Sequence, residues 1–194
     1  MTGIELLWAV VPLAIWLVLL FGRGFFWLMA ERDDVDAPPE PRVWPKVVAV
    51  VPARDEADVV ERSLESLLAQ DYPGDFRILL VDDESGDDTA AAARALSGPR
   101  LAVLTGKPHP AGWTGKLYAV AQGVAAAGEV DYLWLTDADI EHAPDALRRL
   151  VARSEAGGLA LASEMAKLNC ESLAEKLLIP ALDIVGAKYE KGTL

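Results

Sequence analysis

Residues 47–51 read VVAVV, an uninterrupted apolar run of valines around one alanine. Because an apolar run without alternation is typical of a strand covered on both faces, this stretch predicts a buried strand of a parallel sheet. Similar short runs follow at residues 78–81, 101–104 and 132–135, and residues 159–162 form a fifth. These five runs are the predicted strands of one sheet.

Helical patterns separate the apolar runs. Apolar side chains in residues 57–68 fall on one helical face, residues 114–127 form a second pattern ended by Gly128, and Pro144 is placed as the first residue of a helix that ends near Gly157. Strands that alternate with helices indicate βαβ units with right-handed crossovers. The pattern therefore predicts an α/β fold, with a mainly parallel sheet and flanking helices.

Acidic residues follow three of the predicted strands: Asp55, Glu56, Asp82, Asp83, Asp137 and Asp139. The carboxyl ends of parallel strands open on one edge of the sheet, where ligands bind at a switch point. Carboxylate oxygens are hard ligands that suit Mg²⁺ or Mn²⁺, and such ions usually bind one or two carboxylates together with substrate phosphates. The acids at these strand ends therefore predict a metal and phosphate site.

The N-terminus predicts a membrane anchor. Residues 6–21 are all apolar except Pro12, and a helix needs about 20 mostly apolar residues to cross a bilayer. A signal peptide would require Lys or Arg before its apolar run, and none is present here. A signal peptide or a buried helix remains the alternative. Basic residues follow the run from Arg23 onward, which predicts a single-pass anchor over residues 1–30 with the remainder in the cytoplasm.

The rest of the chain has the length of one domain after a linker. Residues 31–46 are charged and proline-rich, which is typical of a semi-extended linker. The net charge of −12 argues against a nucleic-acid partner, because a phosphate backbone calls for a basic surface. Cys170 is the one cysteine, so the chain has no internal disulfide and suits a reducing compartment.

Four motifs occur in the order seen in family 2 glycosyltransferases of GT-A fold. They are VVPARDE at residues 50–56, LVDDESGDDT at 80–89, GK at 115–116 and TDAD at 136–139. Three further stretches resemble the hopanoid (hopene)-associated branch of that family: GWTGKL at 112–117, LNCES at 168–172 and EKLLIPA at 175–181. The resemblance predicts a nucleotide-sugar-binding GT-A domain over residues 47–181, shorter than in other members, and a divergent tail over 182–194.

The resemblance implies a Rossmann-like fold and a metal-dependent, inverting transfer of sugar from a nucleotide diphosphate sugar, typically UDP-linked, to a lipid acceptor of hopanoid type at the cell membrane. The implied donor-binding residues are Pro52, Ala53, Arg54, Glu56, Asp82, Asp83, Lys116, Asp137, Ala138 and Asp139. Asp137 and Asp139 would hold Mg²⁺ or Mn²⁺. Either Asp82 or Asp83 would accept a hydrogen bond from the base, and Lys116 would lie near the diphosphate.

Two features of the family pattern are not visible, namely an acceptor-side acid serving as general base and a Gln-x-x-Arg-Trp motif. No catalytic base is therefore assigned. One alternative is a truncated, non-catalytic module that binds nucleotide-sugar. The other is a phosphatase of the haloacid dehalogenase type, which also uses Asp-x-Asp after a strand. The phosphatase motif has Thr or Val where this chain has Glu141. It also follows the first strand, whereas Asp137-Ala138-Asp139 follows the fourth predicted strand.

Overall fold

The computed structural model describes residues 3–22, 38–164, 166 and 172–173. The chain divides into two compact units, one formed by Met1–Val35 with Met165–Leu194 and the other by Asp36–Glu164. The predicted tail, Cys170 and the branch motif at residues 175–181 lie outside the described residues, as does most of the branch motif that begins at residue 168.

The described elements follow one another as helices and parallel strands. In chain order they are α1 Gly3–Leu17, a π-helical turn Val18–Gly22, β1 Val47–Ala53, α2 Val60–Leu68, β2 Phe76–Asp82, α3 Thr89–Ala95, β3 Leu101–Thr105, α4 Gly115–Ala127, β4 Tyr132–Leu135 and α5 Ala146–Gly157.

Four of the strands form one sheet in the order β3-β2-β1-β4, and all three neighbouring pairs are parallel. The central strand β1 is buried along almost its whole length, as its continuous apolar sequence predicts. The mainly parallel sheet with flanking helices is therefore confirmed.

Alternate residues of β1 face opposite sides of the sheet. Val47, Ala49 and Val51 belong to the larger core cluster, which also contains apolar residues of α2 and α5. Val48 and Val50 belong to a smaller cluster on the other face, with Ala127 of α4. Side chains of β1 therefore pack against helices on both faces of the sheet.

Helix α4 lies unusually close to the sheet at Gly123. A Cβ atom at this position would be 2.3 Å from Cγ1 of Val50 and 3.1 Å from Cγ2 of Val81. Both valines are fully buried, so neither can move aside easily. Glycine at position 123 therefore allows the α4 backbone to rest directly on β1 and β2.

The predicted fifth strand over residues 159–162 is wrong. Gly158 adopts a left-handed conformation with φ 59°, and the N–H of Leu159 donates to the carbonyl oxygen of Ser154 at 2.9 Å. The side chain of Leu159 packs back onto Gly157, while Leu161 is 86% exposed. These apolar residues end α5 in a Schellman-type turn instead of joining the sheet.

Helix α5 begins two residues later than predicted, at Ala146 instead of Pro144. The carbonyl oxygen of Pro144 accepts the N–H of Asp71 at 2.9 Å. Gln70 donates to the carbonyl oxygen of Ala143 and accepts the N–H of Leu147. These contacts with the end of α2 hold Pro144 in the preceding turn.

Within the described part of the chain, no helix is long and apolar enough to cross a membrane. α1 has 15 residues, or about 22 Å at 1.5 Å per residue, which is short of the roughly 30 Å hydrocarbon core. It passes into the π-helical turn at Val18. The transmembrane helix predicted within residues 1–30 is thus not found as one α-helix, and residues 23–30 lie outside the described residues.

Candidate functional site

The order of the strands creates a switch point between β1 and β4. The chain adds β2 and β3 on one side of β1 and then places β4 on the other side. In open parallel sheets, ligands bind beyond the carboxyl ends of the strands at such a point. A cavity of about 170 Å³ opens here, lined by Pro52, Ala53, Arg54, Glu56, Asp83, Lys116, Asp137, Ala138 and Asp139. The structure thus brings together every predicted donor-binding residue except Asp82.

Asp82 and Asp83 differ in what they face, although they are neighbours. Oδ1 of Asp82 accepts the N–H of Ser85 at 3.4 Å, and its carbonyl oxygen accepts the N–H of Gly106 at 2.8 Å. Asp83 lines the cavity. Asp82 therefore supports the turn after β2, and Asp83 is the acid of this pair that a ligand in the cavity would meet.

Asp83 has one occupied and one free carboxylate oxygen. Its side chain is only 4% exposed, and Oδ2 accepts a hydrogen bond from Nη1 of Arg54 at 3.3 Å. Oδ1 is buried and has no hydrogen-bond partner among the described residues. A Cβ on Gly115 would lie 2.3 Å from Oδ2, so glycine is needed where α4 begins. A buried acceptor without a partner is costly, so a water or a ligand that donates to this oxygen would be stabilised there.

The Asp137-Ala138-Asp139 segment follows β4 and is oriented by its central residue. Ala138 is buried in the larger core cluster. The two flanking acids line the cavity with it. Nζ of Lys116, in the first turn of α4, lies 2.7 Å from Oδ1 of Asp137. The segment therefore presents two carboxylates, one of which is paired with an ammonium group.

Glu56 adds a third carboxylate to the cavity. Partial burial raises the pKa of Glu56, and the negative charges of Asp139 and Asp137 raise that pKa further. Burial is the larger cause, and the two aspartates add electrostatic repulsion across the cavity.

The loop that carries Glu56 is fastened to the loop after β2 by hydrogen bonds that the sequence analysis missed. The N–H of Glu56 donates to Oγ1 of Thr89 at 2.8 Å, and Oδ2 of Asp87 accepts the N–H of Ala57 at 3.1 Å. Thr89 also donates its hydroxyl to Asp87. Thr89 is fully buried, so these bonds hold the Glu56 backbone in place. Asp87 and Thr89 stand in the motif at residues 80–89, but their contacts with residues 56 and 57 depend on the fold.

His142 closes the loop that carries the two aspartates. Its Nε2 lies 2.9 Å from Oγ1 of Thr136, and its ring centroid is 4.6 Å from that of Trp134. Its N–H donates to Oγ of Ser66. The sequence offered no signal for this role, because it depends on a contact with α2.

Burial lowers the pKa of His142, which predicts a pH-dependent contribution to stability. The unfolded chain takes up a proton near pH 6.5, whereas the folded chain resists it to lower pH. Stability from His142 is therefore present above about pH 6.5 and is lost as the pH falls below that value. We expect the difference in unfolding free energy between wild type and His142→Gln to shrink from pH 7.5 to pH 5.5 in denaturant titrations.

The matched control is His109→Gln, since His109 is exposed. It removes an exposed imidazole and so controls for the loss of a histidine as such. A His142→Gln difference that is equal at both pH values would contradict the assigned burial.

The carboxylates of the cavity fit a hard divalent cation whose remaining coordination positions are filled by a bound ligand. Among the described residues, no three or more His, Cys, Asp or Glu side chains form a group that could hold a metal ion. Asp137 and Asp139 are two carboxylates at a strand end, which is the protein share that Mg²⁺ or Mn²⁺ usually takes when phosphates supply other ligands. The residues therefore fit a metal that binds together with a phosphate compound.

A larger and more open depression of about 670 Å³ lies beside Glu56. Its lining includes Asp55, Asp58, Asp87 and Asp88 and no Lys or Arg. An anionic ligand would be repelled there, whereas the smaller cavity contains Arg54 and Lys116. The smaller cavity is therefore the candidate site.

Comparisons with known proteins identify the family. Residues 48–168 match the family described as glycosyl transferase family 2. A succinoglycan biosynthesis protein of Rhizobium meliloti is 35% identical over 120 residues, which is 61% of this chain and 32% of that protein. A beta-monoglucosyldiacylglycerol synthase of Synechocystis is 33% identical over 111 residues, which is 56% of this chain and 22% of that protein. The chain thus spans a third or less of these relatives.

A solved structure supports the same assignment. The mannosyltransferase of Pyrobaculum calidifontis, in complex with GDP-Man and Mn²⁺, superposes with a TM-score of 0.52 at 28% identity, covering 71% of this chain and 39% of that one. This confirms the predicted GT-A-like fold, and the family match leaves no support for the haloacid dehalogenase alternative. The resemblance to the hopanoid-associated branch stays a prediction. The chain belongs to glycosyltransferase family 2.

Proposed function

We propose that this chain binds the donor of a glycosyltransferase reaction, a UDP-linked sugar, in the cavity between β1 and β4. The observation that carries the proposal is the buried, unpartnered Oδ1 of Asp83, which shares one cavity with Lys116, Asp137 and Asp139. The acceptor oxygen of Asp83 would bind the base, and the ammonium group of Lys116 would bind the diphosphate. The carboxylates of Asp137 and Asp139 would bind a divalent ion. The cavity is smaller than a typical ligand pocket of about 300–1,000 Å³, so it would hold only part of the donor.

The geometry around Asp83 favours uracil over guanine. Uracil offers one N–H between two carbonyl groups, whereas guanine offers two adjacent donors that pair best with both oxygens of a carboxylate. Oδ2 accepts a hydrogen bond from Arg54, and Oδ1 has no partner among the described residues. A single free acceptor suits the single donor of uracil.

The diphosphate would lie between Lys116 and the two aspartates. Asp137 and Asp139 would hold Mg²⁺ or Mn²⁺, which supplies positive charge for the departing nucleoside diphosphate. The ammonium group of Lys116 would add to this stabilisation of the leaving group. The Mn²⁺ in the Pyrobaculum mannosyltransferase complex supports this assignment. Inversion at the sugar carbon follows from the family resemblance.

The acceptor is proposed to be a lipid, of hopanoid type by resemblance to that branch. A relative, the beta-monoglucosyldiacylglycerol synthase, supports a lipid acceptor, because its name refers to a glucosylated diacylglycerol. Residues 1–30 are proposed as the membrane anchor, with the donor-binding domain in the cytoplasm. The exposed apolar side chains of Trp8, Leu13, Ile15 and Trp16 in α1 support contact with a membrane.

A second candidate is a module that binds nucleotide-sugar without transferring it. The same cavity residues would hold the donor in either case. The two functions are distinguished by incubating the full chain with UDP-sugars, Mn²⁺ and lipid acceptors. A glycosylated lipid would establish transfer, and donor binding without any product would favour the module.

Replacing Asp83 tests the base contact. We expect Asp83→Asn to weaken UDP binding roughly tenfold or more, because a hydrogen bond to a charged acceptor contributes about 1.5–3 kcal/mol. The measurement is calorimetric titration of UDP into the full chain in nonionic detergent. GDP titrated into the wild type is expected to bind more weakly than UDP.

The neighbouring Asp82→Asn is the matched control, because it removes the same charge one residue away and outside the cavity. Its effect on UDP binding should be small. Circular dichroism checks that both variants are folded. A larger loss of UDP affinity in Asp82→Asn than in Asp83→Asn would show that Asp83 does not make the base contact.

A further inference from the structure

The ion pair between Lys116 and Asp137 joins two groups that the donor would need separately. Nζ of Lys116 and Oδ1 of Asp137 are 2.7 Å apart, which is a close, charge-assisted hydrogen bond. Both side chains are partly open to solvent, with 63% and 47% of their surfaces exposed. Both residues line the cavity that also contains Asp139 and Glu56.

Lys116 is the cation that balances these acids when no ligand is bound. Of the two cationic side chains that line the cavity, Arg54 is paired with Asp83. Lys116 therefore faces three carboxylates, and it touches the one that begins the metal-binding pair. A divalent ion that approaches Asp137 would meet an ammonium group already on the oxygen it needs, and like charges repel.

The local backbone allows the lysine side chain to move while its base stays fixed. The backbone of Gly115 lies so close to the carboxylate of Asp83 that a Cβ at position 115 would overlap it. This close contact fixes the position of the start of α4. Beyond it, the flexible four-carbon stem of Lys116 is largely exposed. The ammonium group can leave Asp137 for a nearby phosphate without any change in the helix.

We propose that Lys116 is an exchangeable counter-ion, which neutralises Asp137 in the empty cavity and transfers to the diphosphate when nucleotide and divalent cation bind together. The inference rests on the proposed donor-binding function and adds to it a mechanism of coupling. Free metal binds weakly because it must displace Lys116. Once a diphosphate is present, the displaced ammonium gains a new anionic partner, so metal and nucleotide assist each other.

The expected effects are several-fold, because an ion pair this exposed is weak in water. In Lys116→Gln, Mn²⁺ alone should bind about three- to fivefold more tightly than in the wild type, since its competitor is gone. UDP in the presence of Mn²⁺ should bind about tenfold more weakly, since the diphosphate loses a cation. The enhancement of UDP binding by Mn²⁺ should therefore fall. Lys116→Arg should behave like the wild type because it keeps the charge.

The experiment titrates Mn²⁺ alone, UDP alone and UDP with Mn²⁺ into the full chain in nonionic detergent, by calorimetry and by electron paramagnetic resonance of free Mn²⁺. Lys107→Gln is the matched control, because it removes the same charge from an exposed lysine in the loop before α4. Circular dichroism checks that each variant is folded.

Opposite changes in the two titrations of Lys116→Gln support the exchange. A lysine that only binds phosphate would weaken UDP binding and leave Mn²⁺ binding unchanged, and this result would overturn the exchange. Failure of the proposed function gives a different result, namely a wild-type chain that does not bind UDP even with Mn²⁺.

Discussion

Replacing Asp139 by alanine is expected to remove most of the gain in UDP affinity that Mn²⁺ provides. Asp137 and Asp139 face the same cavity, and Asp137 is partly neutralised by Lys116 at 2.7 Å. Asp139 is the second acid of the pair, and its charge contributes to the raised pKa of Glu56. The loss of one charged ligand to a metal bound by a diphosphate should cost on the order of 1–3 kcal/mol.

The measurement compares UDP titrations with Mn²⁺ and with EDTA, in wild type and Asp139→Ala. Uridine without phosphates should bind both proteins equally, because it makes no use of the metal. Glu141→Ala is the matched control, since it removes an exposed acid from the same loop. UDP binding that is independent of Mn²⁺ in the wild type, or an unchanged Mn²⁺ effect in Asp139→Ala, would remove the metal from this site.

The sheet could be predicted from the sequence because its strands are continuous apolar runs. β1 is buried on both faces, and its short, valine-rich run favours a strand over a helix. Residues 159–162 show the limit of that signal. They follow a left-handed glycine, and Leu159 donates its N–H back to the carbonyl oxygen of Ser154 while its side chain packs onto Gly157.

The site could be predicted only as far as neighbouring residues along the chain determine it. The acids at the strand ends were found because parallel strands open on one edge. The choice between Asp82 and Asp83 stayed open, since adjacent side chains at a strand end point to different sides and the sequence does not say which side holds the cavity. Arg54 with Asp83, and Lys116 with Asp137, are pairs distant in sequence, so their contacts required the folded structure.

The N-terminal prediction met a different difficulty. Apolar content over residues 6–21 was read as one spanning helix, whereas α1 ends at Leu17 and a π-helical turn follows. Hydropathy measures transfer into an apolar phase and carries no information on where a helix changes its hydrogen-bond register. The anchor therefore stays a proposal that the exposed side chains of Trp8 and Trp16 support.

Replacing Gly123 by alanine is expected to destabilise the domain by about 2 kcal/mol. The new Cβ would lie 2.3 Å from Cγ1 of Val50, closer than packed atoms approach, and Val50 and Val81 are fully buried. Alanine favours a helix over glycine by about 1 kcal/mol, so a stabilising result would be expected if α4 were free of the sheet. The overlap with the sheet decides the sign, and the measurement is chemical denaturation of each variant.

Val50→Ala provides the decisive comparison, because it removes the methyl group that the new Cβ would meet. Alone it should destabilise the domain by leaving a small void, but combined with Gly123→Ala the two losses should partly cancel. Gly98→Ala is the matched control, since a Cβ there has no atom within 4 Å and should change stability little. If Gly123→Ala proves as stable as the wild type, or if the double variant loses the full sum of both single losses, then α4 does not rest on β1 through Gly123. The start of α4, which places Gly115 against Asp83 and Lys116 beside Asp137, would then require another support.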